Sequence, residues 1–346
     1  MRPILLLMLL AGCAVPLRGV WETRSLPELD DRFFPQGAPW RGGDAIYSVP
    51  LSSDRILWLF GDSFIAKPGV TRREGSKMIR NSLAIGTADG KLDYFWRTES
   101  GQPADALPCP VAGEWFWPLS GLRIGPRLHL FLYRMKSKGE GAFGFVETAT
   151  LMATVENPDL PPDRWTLTLR EIPASFGTAS LRLERQAYLY GIRDGRGSRQ
   201  AILARVPEEA IEDLSQWRYW TGSGWSEGPA AAAPVFPGAA TEMSVSYLPT
   251  AQTFAAVTSA PMLSPDIHVL RAPRPEGPWG PPAVVYTCPE AQWKKGYFCY
   301  AAKAHPELDP TGSALVISYA CNAMSFADAV RDLRIYRPRF LLATLR

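Results

Sequence analysis

Histidine is scarce in this chain, with 3 residues in 346, and none stands in an HExxH pattern. Cysteines never occur as CxxC, so the common zinc signatures are missing. A Walker sequence and the Asp-box repeat of sialidases are also absent, which leaves phosphate-loop nucleotide use without support. Charge of one sign is not in excess: 37 Lys and Arg stand against 34 Asp and Glu. The basic residues are scattered, so nucleic acid is not an expected partner. After the first dozen residues there is no long apolar run. A hydrophobic content of 46% without a GXY period excludes collagenous and disordered chains.

What is present begins with MRPILLLMLLAGC, one Arg and a short apolar run ending in Leu10-Ala11-Gly12-Cys13. The run is too short for a permanent membrane helix, and small residues before Cys are the pattern of a bacterial lipoprotein signal. Residues 1–12 are read as a removed leader, Cys13 as the lipidated first residue, 13–20 as a tether and 21–346 as one domain. Membrane attachment through Cys13 implies the cell envelope, at the outer membrane or facing the periplasm if the host has two membranes. Cys109, Cys288, Cys299 and Cys321 remain, and an even number in an exported protein suggests disulfides. Cys288–Cys299 is the expected pair because its loop is short.

The stretch Gly43 to Ser63, GDAIYSVPLSSDRILWLFGDS, reads as a strand hairpin with two carboxylates at its open end. Val49 to Leu51 and Ile56 to Phe60 are strand-like, and Ser52-Ser53-Asp54 is turn chemistry. A three-residue loop sets Leu51 opposite Arg55 and, counting outward, Asp44 opposite Asp62. Opposed residues share a face, and two like charges there raise each other's cost of ionisation. A split in protonation between paired carboxyls serves acid/base chemistry. The flanking Gly43 and Gly61 allow a backbone or ligand close approach.

From about residue 80 a pattern recurs every sixty residues or so. A short apolar strand is followed by a tryptophan: LAIGT with Trp96, LMATV with Trp165, ILARV with Trp217, IHVLRA with Trp279, and finally FLLATLR with none. A hairpin-like pair of apolar runs precedes each. Five units of four short strands, with 32 Pro and 29 Gly for tight connections, read as an all-β, five-bladed β-propeller. The segment near Val20 to Leu26 is expected to supply the strand missing from the fifth unit, hiding two open edges. A two-sheet sandwich is the alternative fold.

In such a ring the first strand of each blade lines the channel. The expected inner strands carry Asp44, Leu119 to Leu122, Thr178 to Leu181, Glu242 to Tyr247 and Lys303 to Pro306. Asp44, Glu242 and His305 thus occupy comparable positions on three blades, the make-up of a pocket. Trp115 and Trp117 are candidates for stacking on sugar rings. Arg80 and Asn81 follow the Asp62 loop and are placed at the same mouth. His129 and His268 alternate with apolar residues and are read as packed.

The hairpin's Asp-x-x-x-Ser strand and Trp-x-Phe-Gly-Asp-Ser strand resemble the opening signature of bacterial five-bladed propellers classed among domains of unknown function. Some of these are associated with endo-D-arabinan hydrolysis, and the wider resemblance is to furanosidase and arabinanase glycoside hydrolases. The motif match covers residues 43–63, with weaker echoes at Asn81-Ser82 and Tyr336 to Phe340. Ser53-Asp54 replaces the usual Asp-Gly turn, and Ser63 the usual Thr. The resemblance implies Asp44 and Asp62 as catalytic carboxylates. With Glu242 as a further acid, the expected function is a lipid-anchored glycoside hydrolase, monomeric, acting on a furanose-containing polysaccharide. It needs no cofactor, and a structural cation in the channel is the one further ligand the reading admits. The competing reading is a non-catalytic envelope module that binds glycan or protein.

Overall fold

The computed structural model describes residues 20–346 apart from 140, 142, 174 and 310, so the leader and Cys13 lie outside the described residues. Five antiparallel sheets of four or more strands follow one another along the chain, beside a three-stranded sheet (Trp40–Gly43, Ser63–Ile65, Lys77–Ile79) and a two-stranded one (Arg97–Glu99, Gln102–Ala104). The first runs Tyr47–Pro50, Arg55–Phe60, Ser82–Thr87 and Leu92–Phe95. The second runs Glu114–Ile124, Arg127–Ser137, Phe145–Val155 and Leu167–Ile172. Phe176–Leu183, Gln186–Arg193, Gln200–Pro207, Arg218–Trp220 and Trp225–Ser226 make the third, with Phe236–Pro237 also pairing to Gln200–Pro207. The fourth is Met243–Leu248, Thr253–Ser259, Asp266–Ala272 and Ala283–Thr287. Tyr297–Ala304, Ala314–Ala323 and Arg339–Leu345 begin the fifth, and the N-terminal strand Trp21–Ser25 completes it.

That last pairing matches Trp21 with Leu345 and Ser25 with Leu341, as expected for the early segment. It covers the otherwise open edge of the final strand, an edge that would invite association. The chain is all-β in outline. The two α-helices among the described residues, Pro27–Phe33 and Phe326–Arg331, are short.

Neighbouring sheets meet through their first strands, the second against the first and third, the third against the fourth, and the fourth against the fifth. The fifth reaches the first through side chains, with His305 Nδ1 2.6 Å from the Ser48 hydroxyl. Apolar residues fill the spaces between sheets; Leu59, Phe131 and Leu189 belong to one such cluster. First strands are irregular where they approach one another. Register shifts fall between Pro118 and Gly121, Phe176 and Ala179, and Tyr300 and Lys303. Bulges of this kind re-aim side chains at the rims of sheets.

The structure corrects two expectations. Cys299 pairs with Cys321, not Cys288, because the two stand directly opposite on adjacent strands of the fifth sheet. Cys288, a buried free thiol, precedes the 3-10 turn Pro289–Gln292, and Cys109 is free as well. Cross-strand register outweighed loop length. The innermost strand of the fifth sheet is also longer than read, starting at Tyr297 rather than Lys303.

Replacing both Thr23 and Arg24 by proline removes any ladder N–H that either donates to the last strand. The double variant is expected to melt several degrees below wild type and to self-associate on heating. A melting temperature equal to wild type would show that this strand contributes nothing to closure.

Candidate active site

The hairpin that carries Asp44 and Asp62 pairs Tyr47 with Leu59, Ser48 with Trp58, Val49 with Leu57 and Pro50 with Ile56. Leu51 N–H closes on Arg55 O, so the loop has the three-residue length. The same count reaches Gly43 opposite Ser63, with Asp44 and Asp62 lying between those pairs. Ala45 and Ile46, φ 64° and 57°, interrupt the strand in the left-handed region, which costs an L-residue about 1–3 kcal/mol. The kink turns Asp44 towards the channel. Gly61 permits it, because a Cβ there would lie 2.4 Å from Asp44 Oδ1.

Asp44, Asp62 and Glu242 line one cavity of about 560 Å³. Its floor adds Tyr133, Tyr300, Asn322 and Tyr336, and its wall Trp117 and Phe145. Phe143, 57% exposed, and Met262, 92% exposed, stand at the rim.

The three carboxylates are held differently. Both oxygens of Asp62 are engaged, Oδ1 accepting from the Trp117 indole N–H at 2.8 Å and Oδ2 from Arg80 Nη1 at 3.0 Å. Asp44 Oδ2 accepts from the Tyr300 hydroxyl at 2.5 Å and lies 3.3 Å from that of Tyr336. Glu242 accepts no side-chain hydrogen bond among the described residues, and its nearest cation is Lys303, 3.9 Å away. Burial pushes Asp44 up to about 7, aided by the charge of Glu242 and opposed by the two tyrosines and Lys303. Burial also pushes Asp62 up to about 7, against the pull of Arg80. Glu242 is raised by burial, with Lys303 opposing.

Tyr336 owes its place to Arg73, a guanidinium only 1% exposed that forms no ion pair with a carboxylate among the described residues. It donates instead to five carbonyls, those of Arg41, Ala329, Asp332, Ile335 and Tyr336. Gly42, at φ +119°, leaves room for this clasp, since a Cβ would meet Tyr336 O at 2.2 Å. Sequence reasoning missed Arg73, Lys303 and the hydrogen-bonding role of Tyr300 and Tyr336. Lys303, a lysine within the apolar run YAAKA, was the one trace of them, since Arg73 stands in the polar stretch VTRREGSK.

The other residues singled out from sequence fall around the cavity at different depths. Arg80 does not line it but grips Asp62 and lies 4.3 Å over the Trp115 ring. Trp115 is buried behind Trp117, with ring centroids 6.1 Å apart, and so is not offered to a ligand. Asn81 is fully buried, its amide bonded to Leu107 and Phe116. His305 is also fully buried and does not reach the cavity. Its Nε2 lies 2.6 Å from the Ser318 hydroxyl, and burial holds its pKa well below the ordinary value. The fifth sheet meets the cavity at Phe298 to Ala301, whereas His305 follows the far end of that strand.

Two stretches have the bare spacing of common motifs. Residues 139–144 read GxGxxG and 224–228 read GxSxG. The former joins two strands of the second sheet, and the latter holds Ser226 in the short strand Trp225–Ser226. Neither has the strand-to-helix context those motifs require. Among the described residues the one His/Cys/Asp/Glu group close enough to share an ion is Glu290 with Cys299 and Cys321, and both cysteines are in the disulfide.

Comparison with known proteins adds a family and a set of folds. The family model DUF5005, a domain of unknown function, matches residues 28–343. No curated protein matches. A presumed hydrolase from Bacteroides ovatus is similar at 20% identity and TM-score 0.77, over 93% of this chain and 90% of that one. Zg3597, a family 117 glycoside hydrolase of Zobellia galactanivorans, has 11% identity and TM-score 0.54, over 95% and 91%. An exo-β-1,3-galactanase of Phanerochaete chrysosporium has 11% identity and TM-score 0.52, over 89% of this chain and 63% of that one. At these identities the likeness is one of fold, shared with β-propeller glycoside hydrolases.

A carboxyl whose folded pKa is raised stabilises below its unfolded pKa, and that stabilisation is lost as pH rises through the folded pKa. For Asp44 the window runs from 3.8 to about 7. Asp44→Asn is therefore expected to melt above wild type at pH 8 by about 1 kcal/mol or more, since a tenfold change in proton affinity corresponds to about 1.4 kcal/mol. The advantage should vanish towards pH 4. A variant equally or less stable at both pH values would show that Asp44 is not strained by ionisation.

Proposed function

The chain belongs to the DUF5005 family, and we propose that it is a glycoside hydrolase built on five blades, with Trp21–Ser25 closing the ring. The observation that carries this reading is the set of three differently held carboxylates around one cavity, two of them, Asp44 and Glu242, standing just before the first strands of separate sheets. Glu242 is the general acid: it is raised by burial, untethered, and open to the cavity, so it can carry a proton to the leaving oxygen. Asp44, oriented by two tyrosine hydroxyls, acts in its ionised form as nucleophile or general base. Asp62 is a positioning residue. Its carboxylate ties Trp117 to Arg80, and its carbonyl lies 3.2 Å from the Tyr336 hydroxyl, so it holds the wall and the orienter of Asp44 together. No step needs a cofactor.

The substrate class is drawn from the residue 43–63 signature, a furanose-containing polysaccharide of the arabinan type. Trp117 and Phe145, edge to face at 4.5 Å, offer the aromatic wall that sugar rings pack upon. A digestion screen over furanose and pyranose polymers tests this. Asp44→Asn and Glu242→Gln should each lower kcat/KM by about 10²–10⁴-fold, the usual contribution of acid/base groups. For wild type, kcat/KM should rise as Asp44 ionises near pH 7. Full activity in both variants would end the proposal.

Envelope anchoring through Cys13 is part of the same proposal. It rests on the Leu10-Ala11-Gly12-Cys13 pattern. Two or more acyl chains give stable attachment where one does not. Cys13→Ser is expected to move the protein to the soluble envelope fraction with its fold intact. Retention in carbonate-washed membranes would overturn the lipid anchor.

A further inference from the structure

Lys303 is 1% exposed, near the end of an apolar strand, and nothing in the proposed chemistry calls for an ammonium there. Its surroundings are built from two backbone irregularities. Nζ donates to the carbonyl of Ala45 and, at 2.6 Å, to that of Ala301. Ala45 and Ala301 both adopt left-handed backbone, φ 64° and 61°. Such conformations persist where the surroundings over-determine them, and they cluster at functional sites. Each of the two immediately follows a cavity residue, Ala45 after Asp44 and Ala301 after Tyr300. Tyr300 in turn donates to Asp44.

One ammonium therefore ties the turn that presents the carboxylate to the bulge that presents its hydrogen-bond donor. It also stands 3.9 Å from Glu242 Oε1 and 4.4 Å from the Tyr47 ring. Its remaining charged or titratable company is Asp44, whose ionised form it favours, and His305, whose protonation it opposes. Asp62 and Tyr336 touch the same system through Asp44.

We propose that Lys303 is a positioning residue of the active site, a buried cation that joins the Asp44 turn to the Tyr300 bulge and governs how Asp44 and Glu242 divide their protons. The inference rests on the glycosidase reading for its purpose, while its geometry is independent of the substrate. Removing the positive charge makes ionisation of both carboxyls harder, so both should hold their protons to higher pH. Lysine is suited to the role because a compact ammonium can aim its N–H groups at two carbonyls and still face a carboxylate.

The test is a carbon-13 carboxyl titration of folded wild type and Lys303→Met, a neutral replacement of similar length. Asp44 and Glu242 should titrate at least about one pH unit higher in the variant, a tenfold change in proton affinity. The acidic limb of any pH–activity profile should move the same way. A folded variant with unmoved carboxyl titrations overturns the proposal, because a purely structural strap would lower stability without shifting them. Should Lys303→Met not fold, nitrogen-15 titration of Lys303 Nζ in Glu242→Gln decides: loss of the facing carboxylate must lower the ammonium's own pKa, and an unchanged value overturns the inference. These titrations need no substrate. Loss of the glycosidase reading would appear instead as undiminished digestion by Asp44→Asn and Glu242→Gln.

Discussion

Removing a carboxylate from water is among the most expensive acts a fold performs, and this protein does it with Asp44, Asp62 and Glu242 around one cavity. Much of the surrounding architecture answers that cost. Arg80 and the Trp117 N–H saturate Asp62, two tyrosine hydroxyls serve Asp44, and Lys303 faces Glu242. The compensation is incomplete, since burial is the leading influence on all three groups and drives each of them up. Incomplete compensation is what leaves protons exchangeable near neutral pH. A fully satisfied network would be more stable and chemically inert.

The backbone carries a second part of the cost. Regular first strands would alternate their side chains between the spaces separating the sheets. Aiming Asp44 and Tyr300 at one another needs the left-handed residues Ala45, Ile46 and Ala301, and the partner strand must then be glycine at Gly61. Arg73 extends the logic to Tyr336, itself left-handed at φ 53°, by engaging five carbonyls with one buried guanidinium. Arginine and lysine thus act here mainly as donors to strained main chain. The charge of Lys303 serves Asp44 and Glu242 at the same time.

What the sequence revealed follows from which rules are local. The hairpin register was readable because a three-residue turn and alternating apolar residues specify it, and Ser52 to Asp54 supply both the loop length and the turn chemistry. Asp44 and Glu242 were visible because polar residues stand just before apolar first strands. The strand Trp21–Ser25 was inferred from an edge in need of cover. Tyr336, Arg73 and Lys303 obey no such rule. Tyr336 lies in an irregular segment whose position is set by contacts some 260 residues away in sequence, and Lys303 is a buried charge in a strand that reads as ordinary. His305 was assigned to the cavity by assuming that the fifth strand begins at Lys303. Its true start at Tyr297 moves the cavity end upstream and leaves the histidine between sheets.

The same asymmetry bears on how chemistry and stability divide along the first strands. At the cavity end Glu242 accepts no side-chain hydrogen bond among the described residues, glycines clear space, and Phe143 and Met262 remain exposed. Past that end His305 bridges Ser48 and Ser318 and packs against Trp58 at 4.9 Å, a satisfied polar group inside an apolar joint between the fifth and first sheets. A neutral His305 suits such a joint, because burial and the nearby charge of Lys303 both oppose its protonation. The first strands thus gather their carboxylates at the cavity end and place a neutral, hydrogen-bonded imidazole in the joint beyond it.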